Sequence, residues 1–242
     1  MSQKLWEANS QTKVKSNLFE FEKFLEKKFN YSPKKNYKKL FDWTIKYPNL
    51  FWSSVWDYSN IKGIKNEKFH FPKEIIKSKF LVKSKLNYAD NLLSKNDNSK
   101  AVTFISENGF REEKSWKQLN INTLKLINFF KENKIKQKDR VAAYTVNQIE
   151  TVECFLATSA IGAIWSSCSP DFGTQGVIER FSQIKPKLLI ITDRYYYNGK
   201  EINVIERLPF ILKKIKSIKS VIITNYPGKK NSKQLKLKGV KI

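Results

Sequence analysis

Hydrophobic positions recur with two different periods along this chain, and the first period is that of helices. Before residue 98, apolar side chains return every three or four positions, which predicts one helix capped by Asn17 and a second from Tyr37. Pro48 is tolerated in the first turn of a third helix. The apolar face of that helix is expected to pack in a core; it carries Phe51, Trp52, Val55 and Trp56. The polar segment 60–72 predicts a loop.

From Ala101 the pattern becomes that of short strands alternating with helices. AVTFISE and FREEKS flank Asn108-Gly109, a strong hairpin signal, and Ser115 is placed to cap the helix that follows. Short apolar segments then alternate with helical ones, which predicts right-handed crossovers and a mostly parallel sheet covered on both faces. The four strands are RVAAYTV, AIWSSCS, KLLIITD and SVIITN. The fold class is therefore α/β, with a helical N-terminal region before the sheet.

The formal charge of +24 changes this picture little. Of 46 basic residues only five are arginines, and the lysines are spread along the whole chain. Proteins that read nucleic acids favour arginine for its two-pronged hydrogen bonding. We therefore interpret the lysines as solvated faces and the run 228–242 as a surface tail. No specific nucleic-acid partner is expected.

Composition also favours a globular protein of the cytoplasm. No stretch approaches the ~20 apolar residues of a membrane span, and the first residues show no apolar signal core. Cys154 and Cys168 are too far apart for a CxxC motif, so neither a disulfide framework nor a zinc site is expected.

Candidate ligand-binding residues lie where the predicted strands end, since ligands of open α/β sheets bind outside the carboxyl ends of the strands. Asn147 follows one strand, PDFG follows another, and Asp193 precedes a tyrosine cluster with Asn198-Gly199-Lys200. The residues alone also fit simple turns, in which Asp193 and Lys200 are exposed and solvated. They indicate at most a nucleotide-like or CoA-like ligand, because no GxGxxG, GxxxxGK[ST], GxSxG or HExxH motif is present.

Two motifs then resemble a known family. WSSCSPDFG, ending at Gly173, and YNGKE, from Tyr197 to Glu201, are similar to the acyl-adenylate-forming (AMP-binding) acid–CoA ligases of the acetoacetyl-CoA synthetase type. Acetyl-CoA synthetases carry an FGGF-like turn and an RAGR-like loop at these places. YKKLFDWTIKYPNLFWSSVWDY resembles the helical cap of both groups. The similarity extends from about Leu5 to Pro227.

The resemblance implies a domain organisation and an incomplete enzyme. Residues 1–97 would form the N-terminal cap region, and 98–242 the first part of the adenylation domain, an incomplete doubly wound sheet. The ATP-phosphate loop, the acyl pocket and the C-terminal domain are absent from this sequence. We therefore expect no catalytic residue and no metal ligand here, and no activity from this chain alone.

The resemblance also implies a ligand site. The complete enzyme would use ATP, CoA and Mg²⁺ to convert acetoacetate into acetoacetyl-CoA. In the related enzymes the loop aligned with Tyr197, Gly199 and Lys200 receives the 3′-phosphate of CoA. The turn aligned with 169–171 lies against the adenine. Lys200 is thus a candidate phosphate contact, and the further candidates are Ser169, Pro170 and Asp171.

Two alternatives remain at this point. The acyl pocket is not in the sequence, so the chain could belong to another short-chain acid–CoA ligase, such as an acetyl- or propionyl-CoA synthetase. It could also be a basic, non-catalytic module that binds CoA or nucleic acid on the same fold. The remainder of a ligase would be a partner under the first two interpretations.

Overall fold

A computed structural model describes residues 5–226 of the chain. The backbone packs as two compact units, Met1–Leu86 and Asn87–Ile242. The lysine-rich run predicted to be a surface tail lies outside the described residues. Within residues 5–226, no helix is long and apolar enough to cross a membrane.

The first unit is built from helices, as the spacing of its apolar residues predicts. They are α1 (Ser10–Val14), α2 (Asn17–Phe29), α3 (Tyr37–Lys46) and α4 (Pro48–Tyr58). The predicted cap of α2 is wrong by one residue. Ser16 has the extended backbone of an N-cap, and its hydroxyl accepts a hydrogen bond from the Phe19 N–H at 3.2 Å, while Asn17 is already helical.

The core of this unit is small and aromatic. Its buried residues are Phe21, Leu25, Leu40 and Trp43. Of the predicted apolar face of α4, Trp56 is buried, but Trp52 is 41% exposed. The segment predicted as a loop contains a short strand, β1 (Gly63–Ile64), which pairs antiparallel with β2 (Lys85–Leu86).

The second unit begins with a helix and the expected hairpin. Helix α5 (Tyr88–Leu92) precedes β3 (Lys100–Ile105) and β4 (Arg111–Ser115), which pair antiparallel around Asn108-Gly109. Helix α6 (Trp116–Glu132) follows directly. The predicted cap at Ser115 is confirmed: its hydroxyl accepts from the Gln118 N–H at 3.2 Å, and the Gln118 side chain accepts from the Ser115 N–H at 2.8 Å.

The rest of this unit forms a parallel sheet with an antiparallel hairpin inserted after its third strand. In chain order the elements are β5 (Arg140–Tyr144), α7 (Ile149–Ala160), β6 (Ile164–Cys168), α8 (Thr174–Ile184), β7 (Leu188–Thr192), β8 (Arg194–Tyr197), β9 (Lys200–Asn203), α9 (Leu208–Lys214) and β10 (Ser220–Thr224). The sheet order is β10-β7-β5-β6, and all four strands are parallel. The predicted doubly wound α/β fold is confirmed.

Both faces of the sheet are buried, because alternate residues of β5 and β7 belong to different cores. Ala142 and Tyr144 join the residues of α8 and α9 on one face. Val141 and Ala143 join Phe130 of α6 and the residues of α7 on the other.

The hairpin β8–β9 was not predicted from the sequence. Residues 203–215 do not form one continuous α-helix: they give a 3₁₀ turn at Ile205–Arg207 and then α9. Pro209 fits only the first turn of a helix because it has no N–H to donate, which explains the late start of α9.

A buried ion cluster fixes β4 against α7. The Lys114 ammonium lies 3.0 Å from Glu150 Oε1 and 3.1 Å from Glu153 Oε1, and the Glu153 side chain is only 5% exposed. Asn122 donates to the same Glu153 oxygen at 2.8 Å. Burial raises the pKa of Glu153 above its usual range despite these partners.

We expect Lys114→Met to lower the free energy of unfolding by about 3–5 kcal/mol near pH 7, because it leaves Glu153 charged and buried without a counter-ion. A carboxyl whose pKa is raised by folding favours the folded state at low pH and costs stability as the pH rises through that pKa. The loss should therefore shrink as the pH is lowered from 7 and Glu153 takes up a proton. Urea denaturation at several pH values measures it.

Lys125→Met is the control for this experiment, since Lys125 is exposed on α6. A loss of stability in Lys114→Met that is the same at every pH, relative to this control, would contradict the role assigned to the cluster.

Candidate functional site

The carboxyl ends of β5 and β7 form the topological switch point of the sheet. After β5 the chain crosses to β6 on one side, and after β6 it returns past β5 to β7 on the other. Loops that leave neighbouring strands in opposite directions open a crevice between them, where α/β proteins bind ligands. An open cleft of about 350 Å³ lies at this edge; it is lined by residues 103–107, Val146, Asn147, Tyr195, Tyr196 and Tyr226.

The turn after β6 is held by its own side chains. The Ser169 hydroxyl donates to Asp171 Oδ2 at 2.7 Å, and the Ser169 carbonyl accepts from the Phe172 N–H at 3.1 Å. Ser169 and Asp171 are exposed, whereas Pro170 is buried. The first two can therefore face a ligand, and Pro170 contributes through the shape of the turn.

An arginine from a distant segment clamps the same turn. Arg207, at the end of the 3₁₀ turn, donates to the carbonyl oxygen of Pro170 at 2.8 Å and to that of Phe172 at 3.2 Å. It also donates to the hydroxyl of Tyr144 at the end of β5, which in turn donates to the Phe172 carbonyl at 2.6 Å. Burial raises the pKa of Tyr144, so this hydroxyl stays a neutral donor.

Tyr195, on the hairpin β8–β9, lies close to the turn after β6. Its side chain is buried, and its hydroxyl is near the Asp171 carboxylate. Burial and the neighbouring carboxylate raise the pKa of Tyr195 to about 12. The turn and the hairpin are therefore neighbours at the end of the sheet.

The hairpin presents its tip to solvent. Asn198 and Gly199 have φ of 50° and 73°, which is the left-handed backbone of a two-residue turn. Tyr197, 65% exposed, pairs across this turn with the exposed Lys200. At the tip, the Gly199 N–H donates to Glu107 Oε1 at 2.9 Å.

Asp193 is a structural residue, and the interpretation that it lies in an exposed turn is wrong. It is 6% exposed, and its carboxylate accepts from the Tyr226 N–H at 2.7 Å and from Arg194 Nε at 2.9 Å. Its carbonyl accepts from the N–H groups of Val204 and Ile205 at 2.9 and 3.0 Å. Asp193 thus fixes both ends of the hairpin to the sheet.

The structure sorts the predicted site residues into two neighbouring groups. Tyr197, Gly199 and Lys200 lie at the hairpin tip, and 169–171 form the turn after β6. Tyr195, in the first strand of the hairpin, is near Asp171 of the turn. Among residues 5–226, no group of three or more His, Cys, Asp or Glu side chains could hold a metal ion.

Sequence reasoning missed four residues of this region. Their contacts join segments that are far apart in the chain; they are Tyr144, Arg207, Tyr195 and Glu107. Only the hairpin had a readable local signal, since Asn198-Gly199 repeats the turn chemistry recognised at Asn108-Gly109.

Arg207→Met should loosen the turn after β6. The change removes the donor shared by two carbonyls and the Tyr144 hydroxyl, which costs about 1–3 kcal/mol for buried polar groups left with fewer partners. Hydrogen exchange followed by mass spectrometry should show faster exchange in a peptide spanning 168–176, together with a lower melting temperature.

Arg180→Met is the matched control. Arg180 contacts the same turn only by stacking over the Phe172 ring, at 4.3 Å from its centroid, and such exposed contacts contribute about 0.5–1 kcal/mol. Equal exchange in the two variants would refute the clamp.

The comparisons with known proteins agree with the motifs. The family described as "AMP-binding enzyme" matches residues 93–241. The acetoacetyl-coenzyme A synthetase of Rhizobium meliloti is 34% identical over 225 residues, covering 93% of this chain and 34% of that protein. The acetoacetyl-CoA synthetase of Gallus gallus is 37% identical over 196 residues, covering 79% of this chain and 29% of that protein. The chain thus spans about a third of the length of these relatives.

A solved structure supports the fold. The acetoacetyl-CoA synthetase from Streptomyces lividans superposes with a TM-score of 0.86 at 23% identity, and the match covers 99% of this chain and 37% of that one. At this sequence identity the structural similarity supports the fold only. The resemblance drawn from WSSCSPDFG and YNGKE is confirmed.

Proposed function

The chain belongs to the AMP-binding enzyme family, and from that membership we propose that it forms part of an ATP-dependent acetoacetate–CoA ligase. The reaction would join acetoacetate and CoA, with ATP converted to AMP and diphosphate. Relatives named acetoacetyl-CoA synthetase support this assignment along 79–93% of the chain.

Within that enzyme this chain would supply contacts to CoA. The observation that carries the proposal is the tip of the hairpin β8–β9, where Tyr197 and Lys200 pair across the turn and both are exposed. The tip offers an ammonium, Lys200, and an aromatic ring, Tyr197, and the turn after β6 adds exposed polar side chains. A phosphate and a purine ring are the two parts of CoA that such groups bind.

The six proposed contacts have different roles. Lys200 would bind the 3′-phosphate as a point charge, and the small Gly199 lets that phosphate approach the backbone. Tyr197 offers an aromatic face for the adenine in place of a second arginine. Ser169 and Asp171 would lie against the adenine, while Pro170 keeps the turn in shape.

The chemistry of adenylation would rest on residues other than those described. ATP and Mg²⁺ belong to the complete enzyme, and the sequence has no Ser/Thr/Gly-rich loop ending in lysine to hold the ATP phosphates. We also propose a cytoplasmic location, which is supported by two buried cysteines that form no disulfide.

Lys200→Glu should weaken CoA binding by this chain roughly tenfold, the effect of losing one charge-assisted contact. Dephospho-CoA, which lacks the 3′-phosphate, should bind the variant and the unchanged chain alike. Isothermal titration calorimetry measures both ligands. Lys125→Glu is the control, because it makes the same charge change on the exposed face of α6. An equal loss in the two variants would mean that only net charge matters.

The chain by itself should give no acetoacetate-dependent ATP–pyrophosphate exchange, because the phosphate-binding and adenylating groups are not in its sequence. The complete Gallus gallus enzyme, assayed in parallel, serves as the positive control. Exchange by the purified 242-residue chain that depends on acetoacetate would overturn this expectation.

A further inference from the structure

Two hairpins that are far apart in the sequence meet at one hydrogen bond. The Gly199 N–H at the tip of β8–β9 donates to Glu107 Oε1 at 2.9 Å, across 92 positions of the chain. Glu107 stands in the turn that joins β3 to β4, on the rim of the cleft. The carboxylate is exposed, so this bond is not forced by burial.

The turn chemistry explains why this N–H is available. In a two-residue hairpin the flanking residues, here Tyr197 and Lys200, pair with each other. The N–H of the second turn residue then points outward without a partner in the turn. Exposed backbone N–H groups of a turn can bind anions, and here the Glu107 carboxylate accepts from the Gly199 N–H.

The charges around the tip make Glu107 distinctive. Glu201 is engaged by Arg194 at 2.9 Å and by the Tyr196 hydroxyl. Lys200, in contrast, forms no ion pair with any of the residues that the structure describes, and it is the cation next to Gly199. The tip therefore presents one ammonium and one backbone donor, and the donor is held by an internal anion.

We propose that Glu107 is a specificity residue of the coenzyme site, whose carboxylate is displaced from the Gly199 N–H by the 3′-phosphate of CoA. The inference rests on the proposed function, because it takes the phosphate to lie beside Lys200. A phosphate oxygen accepts the hydrogen bond that the carboxylate gives up, and Glu107 turns to solvent. No covalent bond changes in this exchange.

Displacement has a consequence for selectivity. An incoming anion is repelled by the negative charge of Glu107. A phosphate that contacts only Lys200 or only the Gly199 N–H therefore binds with little net free energy. A phosphate that contacts both groups binds strongly enough to offset the free energy of displacing Glu107. A ligand without the 3′-phosphate leaves Glu107 in place and is insensitive to it.

Glu107→Gln separates charge from hydrogen bonding. The amide oxygen still accepts from the Gly199 N–H, so the two hairpins stay joined, but the repulsion of the phosphate is gone. The variant should bind CoA roughly three- to tenfold more tightly at low salt, as expected for a like charge removed a few ångströms from a phosphate. Its affinity for dephospho-CoA should not change.

The measurement is calorimetry of CoA and dephospho-CoA with three chains: unchanged, Glu107→Gln and Glu132→Gln. Glu132 is exposed at the end of α6, so its variant makes the same charge change away from the tip. The gain for CoA should be specific to Glu107→Gln and should fall as salt is added. Melting temperatures of the three chains should agree.

Each other outcome overturns the inference in a recognisable way. If the unchanged chain binds CoA and Glu107→Gln binds it equally or more weakly, Glu107 is no competitor and the proposed function stands. If Glu107→Gln raises the affinity for dephospho-CoA as much as that for CoA, the 3′-phosphate is not the group that displaces Glu107. If the unchanged chain and both variants fail to bind CoA, the proposed coenzyme site fails and the inference with it.

Discussion

Strand β5 sets the constraint on which the second unit depends. It is hydrogen-bonded at both edges, to β6 and β7, and its residues 141–144 have no exposed surface. A parallel strand buried on both faces is covered by crossover helices on both faces of the sheet. Here one crossover runs from β5 to β6, and the next runs from β6 past β5 to β7. The crevice at its carboxyl end follows from this, so the candidate site lies where it does because of how the sheet is wound.

Polar groups buried at that crevice would destabilise the fold if they had no hydrogen-bond partners. The hydrogen bonds of Arg207 supply those partners. Tyr144 ends β5 with a hydroxyl inside the protein, and the turn after β6 leaves carbonyl groups beside it. One guanidinium, from Arg207, serves all of them, since it has several donors in a fixed plane. The turn proposed to contact the coenzyme is thus held from behind, and its side chains at positions 169 and 171 stay exposed.

Much of the fold could be predicted because its signals are local. The apolar segments gave the four parallel strands, and Ser115 with Gln118 marked the start of α6. The hairpin β8–β9 was not predicted, because its four-residue strands, RYYY and KEIN, lack the clear apolar–polar alternation that marks a strand. The partners of Asp193 and Arg207 could not be predicted, since they join segments that only the folded sheet brings together. The resemblance to a family, not periodicity, indicated which loops matter.

The strongly basic composition gives the carboxylates near the tip a particular importance. In a chain with 46 basic and 22 acidic residues, attraction to any polyanion is general and falls with salt, so it cannot select one phosphate from another. Selectivity needs local groups that repel competing anions as well as groups that bind the cognate one. Asp171, held by the Ser169 hydroxyl, and Glu107, held by the Gly199 N–H, are negative charges fixed among or beside the groups proposed to bind coenzyme. Their fixed positions can discriminate between ligands in a way that a diffuse excess of lysine cannot.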